Sequence, residues 1–292
     1  MNYRTLDKPN RTDLTNKEQR VSQRLQLTIT KNIATVTLTR ADKHNALDMA
    51  MFYAIDNVIK KIHKNNAIQA VILTAEGEDF CTGLDVKSVM KSPLNSIKLL
   101  FKWWPGNANL AQRVSTAWKK LPVPVIAAIH GRCWGGGLQI ALGADIRFAT
   151  QDSSWSIMEN RWGLIPDMGG TLAFKTLIKQ DIAIELAMSA KQISGEQAKT
   201  YGLVTHLSKN PLTAAQTLAE QLTENSPDAN AAIKKLLQKS WWSNAGMSLL
   251  RESYYQIKII LGKNQGIAVQ RQLDHSKNKS QDEKSFLPRK FN

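Results

Sequence analysis

Three consecutive glycines, Gly135, Gly136 and Gly137, close the stretch that follows the apolar run of residues 123–129. A run of that composition reads as a buried strand. Three residues without side chains behind it let the backbone turn into a helix start with its N–H groups bare, open to close approach by a ligand. Amides held so in a dry site, aimed at an oxygen that gains negative charge, contribute about 3–4 kcal/mol of transition-state stabilisation per donor. A carboxylate beside them would be a proton-transfer group. Glu159 and Asp167 follow downstream.

The rest of the chain frames that turn. Residues 25–30 and 33–38 alternate in β fashion around Lys31-Asn32 and predict a hairpin. Residues 45–64 carry Met51, Ile55, Val58, Ile59 and Ile62 at helical spacing, with Asp48 as a candidate N-cap. Residues 70–74, 124–129 and 145–150 predict strands, and residues 203–207 a short one. Helices are expected over 181–189, 194–201, 212–224, 228–240 and 245–261, separated by Gly, Pro, Asn or Ser. Segment 85–120, with Trp103-Trp104-Pro105-Gly106, is the least regular part and is expected to wall a pocket. Strand, strand, helix, repeated and followed by helices alone, predicts an α/β fold without a dinucleotide domain. Four regions result: a polar N-terminal arm (1–24), a core (25–205), a helical C-terminal region (206–275) and a loose basic tail (276–292).

With 292 residues, 42% of them hydrophobic, the chain can bury a sizeable core. Its two cysteines, Cys81 and Cys133, and five scattered histidines do not form a disulfide scaffold or a Cys/His metal cluster. Residues 1–24 lack the apolar centre of a signal peptide and, with Asp7, Asp13 and Glu18, the acid-poor make-up of a transit peptide. No apolar run approaches the roughly 20 residues of a membrane helix, so a cytoplasmic protein is expected. The net charge of +15 gathers at Lys60, Lys61 and Lys64, at Lys119 and Lys120, and along residues 277–290. Solvated faces and an anionic partner both account for it.

The glycine run matches no nucleotide loop, neither G-x-x-x-x-G-K-[ST] nor G-x-G-x-x-G with its acidic partner, and no G-x-S-x-G elbow offers a nucleophilic serine. Five stretches instead resemble the crotonase (enoyl-CoA hydratase/isomerase) family in order and spacing. They are residues 39–47 (TRADKHNAL), 80–87 (FCTGLDVK), 122–131 (PVPVIAAIHG), 141–148 around Ala144-Asp145-Ile146-Arg147, and 162–171 (WGLIPDMGGT). The resemblance covers roughly residues 25–275. It implies a crotonase-type spiral of strand-strand-helix repeats with a helical C-terminal region, packed as a trimer or a hexamer. It implies an acyl-CoA thioester as substrate and no metal or redox cofactor. By position it assigns the oxyanion hole to the N–H groups of Leu84 and Gly136, and places Lys43, His44, Asp85 and Lys87 near the CoA moiety, with Gly135 and Trp134 beside the acyl group. Trp103 and Trp104 are further candidates for that lining.

Family hydratases hold and activate water between two glutamates, one after the glycine run and one before the G-x-I-P segment. Here the first position is Gln139, an amide without useful basicity. Gln139 is expected to hold a water or the substrate. Glu159 remains at the second position, and isomerases of the family use that carboxylate alone. Asp167 occupies a slot where dienoyl-CoA isomerases carry aspartate, although those enzymes also have aspartate where this chain has Gln139. Its plain alternative is a cap on the helix that begins near Gly169; for Glu159 the alternative is an ion pair with Arg161. The expected reaction is migration of the double bond of an enoyl-CoA or dienoyl-CoA through a thioester enolate, with hydration of a 2-enoyl-CoA as the alternative. Readings of another class are RNA binding, known in one branch of the family, and non-catalytic acyl-CoA binding. No dedicated RNA-binding element appears, and nucleic acid is not an expected partner.

Overall fold

A computed structural model describes residues 17–276 and 284–291. Its strands are β1 (Lys17–Ser22), β2 (Leu25–Thr30), β3 (Ile33–Leu38), β4 (Ala70–Ala75), β5 (Val125–Ile129), β6 (Arg132–Trp134), β7 (Ile146–Ala149), β8 (Ser154–Ser156), β9 (Ile193–Ser194) and β10 (His206–Leu207). A seven-stranded sheet runs β1-β2-β3-β4-β5-β7-β10, and a small one runs β6-β8-β9. The first three strands of the large sheet are antiparallel and the rest pair in parallel.

The hairpin forms because Lys31 and Asn32 both take the left-handed conformation, φ 48° and 64°, which the twist of a two-residue turn requires. Helices α1 (Met49–Lys64), α2 (Val86–Val89), α3 (Pro93–Leu100), α4 (Leu110–Lys120) and α5 (Gly136–Ala141) follow through the core. Asp48 caps α1, its Oδ1 accepting the Met51 N–H at 2.8 Å. The stripe Met51, Ile55, Val58, Ile59 and Ile62 is buried, as its spacing predicts.

Strands β4 and β5 are apolar at successive positions, Thr74 excepted, because both faces are covered. Val71, Leu73, Val125, Ala127 and Ile129 join the main core. Ile72, Ile126 and Ala128 meet Ala215 and Ala219 on the opposite face. Those alanines belong to α9 (Pro211–Thr223), which follows α6 (Gly170–Leu177), α7 (Gln180–Ser189) and α8 (Gly195–Tyr201). A strand wrapped on both sides reads as a continuous apolar run.

The chain ends in α10 (Pro227–Ser240), α11 (Ala245–Ile260) and α12 (Lys263–Ser276). The last lies in the region expected to be helical (206–275), although no separate helix was delimited there. Two corrections concern the ends. Residues 17–22 extend the sheet as an edge strand where a polar arm to residue 24 was expected, while the first 16 residues of that arm lie outside the described residues. The tail is not loose over residues 284–291. Asp228 Oδ1 accepts the N–H groups of Lys290 (2.6 Å) and Phe291 (2.7 Å), and Leu287 N–H donates to Asn264 Oδ1 at 2.9 Å. Asp228→Ala is expected to cost about 2 kcal/mol, the order of one lost charge-assisted bond, and to expose the tail to proteolysis. An unchanged urea midpoint would show that the docked tail contributes nothing to stability.

Candidate active site

Two loops meet behind the C-terminal ends of β4 and β5. Leu47 N–H donates to Gly83 O (2.8 Å) and Asp85 N–H to Leu47 O (3.0 Å), so Leu47 pairs with the residues on either side of Leu84. In extended backbone the N–H of the residue between them points away from Leu47, and Leu84 lines a cavity. Gly136 lines the same cavity and is the first residue of α5, where an N–H has no intrahelical acceptor. The loops touch. A side chain at Gly83, whose φ is 90°, would start 2.9 Å from Trp134 O and 3.2 Å from Gly136 N. Leu84 and Gly136, each with an N–H to offer, thus line one cavity of about 190 Å³.

A carboxylate stands beside them. Glu159 opens a 3₁₀ turn, Glu159–Trp162, and its Oε1 lies 3.7 Å from where a Cβ on Gly135 would be. Gln139 is buried behind it. The amide Nε2 donates to Glu159 Oε1 at 2.5 Å, while its Oε1 accepts the N–H groups of Met168 (3.0 Å) and Gly170 (2.8 Å). Those two donors fix which end of the amide faces the glutamate. The other carboxylate oxygen, Glu159 Oε2, is buried with no hydrogen-bond partner among the described residues. Burial raises the Glu159 pKa, bonds to backbone N–H and Gln139 oppose that, and the nearby Asp167 charge adds to it.

Asp167 lines the cavity with Glu159. It is more open to solvent, yet burial against the apolar walls raises its pKa too. It does not cap a helix: the N-cap of α6 is Gly169, and that helix has no side-chain capping bond. Nor does Glu159 pair with Arg161 among the described residues. Phe52, Val89, Leu99, Ala111, Met158 and Met168 supply apolar wall.

The structure therefore gathers Leu84, Gly135, Gly136, Glu159 and Asp167, and segment 85–120 does wall the cavity through α2 and α3. It corrects three expectations. Gln139, expected to hold a water or the substrate, does not line the cavity: it is buried, with its amide oxygen and one amide N–H committed to protein partners. Trp134 stays out of the cavity, donating Nε1 to Ser154 Oγ at 3.0 Å with Arg132 stacked 5.3 Å from its ring. Trp103 and Trp104 stand on the surface, 88% and 68% exposed, instead of in the acyl lining.

The residues expected at the CoA moiety lie on two neighbouring segments, Lys43 and His44 at a 3₁₀ turn and Asp85 and Lys87 at the start of α2. Lys43, His44 and Lys87 are exposed. Asp85 is a structural anchor, accepting from Arg40 at 2.8 Å and from Ser88 N–H at 3.0 Å. Sequence reasoning missed the anchor next to it, Asp79, which takes a two-pronged contact from Arg132 (2.8 and 2.6 Å) and lies 2.8 Å from His44 Nδ1. Burial works against the Asp79 charge, but Arg132 holds its carboxyl below the usual range. Only the acid–base complementarity of three separated residues could have flagged it.

Comparison with known proteins agrees with this geometry. The Enoyl-CoA hydratase/isomerase family model matches residues 28–256. A Bacillus subtilis protein bearing the name enoyl-CoA hydratase/isomerase YngF is 32% identical over 77% of this chain and 86% of its own length. The mouse mitochondrial Delta(3,5)-Delta(2,4)-dienoyl-CoA isomerase is 32% identical over 68% of this chain and 63% of its own. Among solved structures, an enoyl-CoA hydratase from Bacillus anthracis superimposes with a TM-score of 0.79 at 26% identity, covering 88% of this chain and 98% of the other. The paired N–H donors, the carboxylate beside them and these likenesses agree: the chain has the crotonase fold and belongs to the enoyl-CoA hydratase/isomerase family.

Proposed function

We propose that the protein moves the double bond of an enoyl-CoA or dienoyl-CoA, with Glu159 as the proton carrier. The observation that carries this reading is the Gln139 clamp: it leaves Glu159 Oε2 as the unpartnered basic oxygen and puts no second carboxylate at position 139 to activate water. The thioester oxygen accepts from Leu84 and Gly136 N–H. Glu159 Oε2 takes the proton from the carbon alpha to the thioester, and the C–H electron pair moves into an enolate whose charge those two donors stabilise. The same carboxyl returns the proton at the gamma carbon, so no water is consumed. Asp167 extends the relay to the epsilon carbon of a dienoyl substrate, in keeping with the likeness to a dienoyl-CoA isomerase.

Lys43, His44 and Lys87 are the proposed contacts of the CoA phosphates. The exposed apolar residues Leu249, Leu250, Ile257 and Ile260 of α11 support assembly into a trimer or a pair of trimers. Purified protein mixed with 3-enoyl-CoA, 2-enoyl-CoA and 3,5-dienoyl-CoA tests the reaction. Migration in the first and third is expected; rapid water addition to the second without migration would overturn it. Asp167→Asn is expected to slow the dienoyl reaction about 100-fold, within the range of one acid–base group, and to leave the enoyl reaction within about threefold. Equal loss on both substrates would remove Asp167 from the relay.

A further inference from the structure

Helix α3 is turned the wrong way round for water. Its protein side buries Leu99 and holds Asn95, whose Nδ2 donates to Val89 O at 3.1 Å. Leu94, Ile97 and Leu100 recur three residues apart on the opposite side, and each is more than half exposed. The apolar surface runs past both ends of the helix, through Met90 before it and through Phe101, Trp103 and Trp104 after it, all likewise more than half exposed. Single exposed apolar residues need no account, but a run of them over residues 90–104 marks a contact site.

Four lysines are interleaved with these residues. Lys87, Lys91, Lys98 and Lys102 are all exposed, and among the described residues none of them forms an ion pair. Lys102 Nζ donates to the backbone oxygen of Pro105 at 3.5 Å, which leaves its charge uncompensated. Residues 86–144 contain no Asp or Glu, so the segment carries no acidic counterpart of its own.

The mixture of side chains selects the occupant. A second copy meeting this face symmetrically would set the lysines against themselves, in a chain that carries +15 overall. Single-stranded nucleic acid would stack on the two tryptophans but make no use of Met90, Leu94 and Ile97. A bilayer uses every part. Aliphatic side chains enter the acyl boundary, tryptophan rings settle at headgroup depth, and lysine stems lie along the apolar surface while their charges reach anionic headgroups. No helix of the described residues is long and apolar enough to cross a membrane, and a segment of this kind lies in the interface plane.

We propose that residues 87–104 dock the protein on a bilayer with anionic headgroups. The acyl cavity opens within that face. Met90 and Leu100 line it and also stand exposed, as do Trp162, which ends the turn that Glu159 opens, and Leu164 just beyond it. On the acyl-CoA reading above, on which this orientation rests, the cavity mouth faces the hydrocarbon into which a long acyl chain partitions, and the chain passes from one to the other without crossing water.

Flotation of the full chain with vesicles of phosphatidylcholine, alone or with about one third phosphatidylglycerol, at about 0.15 M salt where bare surface attraction is screened, tests the docking without any substrate. Binding to the anionic vesicles is expected, about tenfold or more stronger than to the neutral ones, with a blue shift of tryptophan emission. K91E/K98E and W103S/W104S should each weaken it by about tenfold or more, and the second should remove the blue shift. None of these four residues lines the acyl cavity and all are exposed, so the urea midpoint should stay unchanged in both variants. Glu159→Gln should bind vesicles like the parent, so failure of the isomerase assignment would leave the result standing. No flotation, equal binding to neutral and anionic vesicles, binding that both variants leave unchanged, preference for single-stranded RNA over vesicles, or a smaller assembly in W103S/W104S with no loss of flotation would each overturn the proposal.

Discussion

Glu159→Gln is expected to lower kcat for double-bond migration by about 10³-fold, the middle of the range for one general acid–base group, with little change in KM. The substitution is close to isosteric. The new amide oxygen can still accept from Gln139 Nε2, whose own oxygen stays bound to the N–H groups of Met168 and Gly170. The scaffold is kept and only the basic oxygen is lost. In the parent protein kcat/KM should rise with pH through a Glu159 pKa that burial has raised, because the ionised form is the base. That limb should vanish in the variant.

Stability should move the other way. A carboxyl whose folded pKa is raised above its unfolded value contributes fully below the unfolded pKa, and the contribution is lost as pH rises through the folded pKa. At neutral pH the parent therefore holds an ionised, partly desolvated carboxylate that the variant lacks. The variant should melt at or above the parent at pH 7, and the difference should shrink in acid. A variant that retains turnover, or keeps the same pH limb, would remove Glu159 from the chemistry.

How far the sequence carries depends on the range of the interaction. The hairpin at Lys31-Asn32, the stripe of α1 and its Asp48 cap are set by neighbours in sequence, and all were legible. The strand β5 was legible because burial on two faces leaves a continuous apolar run. Where one backbone meets another far along the chain, periodicity is silent. β8 and β9 are three and two residues long, too short to show alternation. The edge strand β1 is held by backbone pairing, which leaves no mark in composition. The tail docks through Asp228 and Asn264, polar residues that look solvent-facing until their partners are seen.

The active site divides in the same way. That Leu84, Gly136 and Glu159 come together at one cavity was readable by position in a motif. That Gln139 is an amide was plain, but its role lies in what its two ends touch. Had a glutamate stood there, one oxygen would have met Glu159 and two carboxylates would have shared a proton or held a water. The amide instead donates, and its oxygen is occupied by Met168 and Gly170 N–H. The proposed reaction rests on a hydrogen-bond direction that one letter of sequence does not show.

Gly137→Ala tests whether the closeness of the two loops is required. A Cβ there would lie 2.3 Å from the carbonyl oxygen of Cys81 and 2.7 Å from its Cβ. Cys81 cannot recoil cheaply. Its carbonyl accepts from Trp134 N–H at 3.0 Å, its N–H donates to Arg132 O at 3.0 Å, and its thiol reaches Asn45 O at 3.0 Å. The start of α5 must move instead, and the Gly136 N–H moves with it. Overpacking of this kind costs about 1–3 kcal/mol and a lost buried hydrogen bond about 1 kcal/mol more, so a loss of about 3 kcal/mol is expected in urea unfolding. Misplacing one of two oxyanion donors costs about 10²–10³-fold in kcat. Gly266→Ala is the matching control: the residue lies inside α12 with nothing within 4 Å of the new methyl group. There the same substitution should raise stability by up to about 1 kcal/mol through helix propensity and leave turnover unchanged. If Gly137→Ala keeps both stability and rate, the Cys81 carbonyl has room to yield and the two donors do not depend on this glycine.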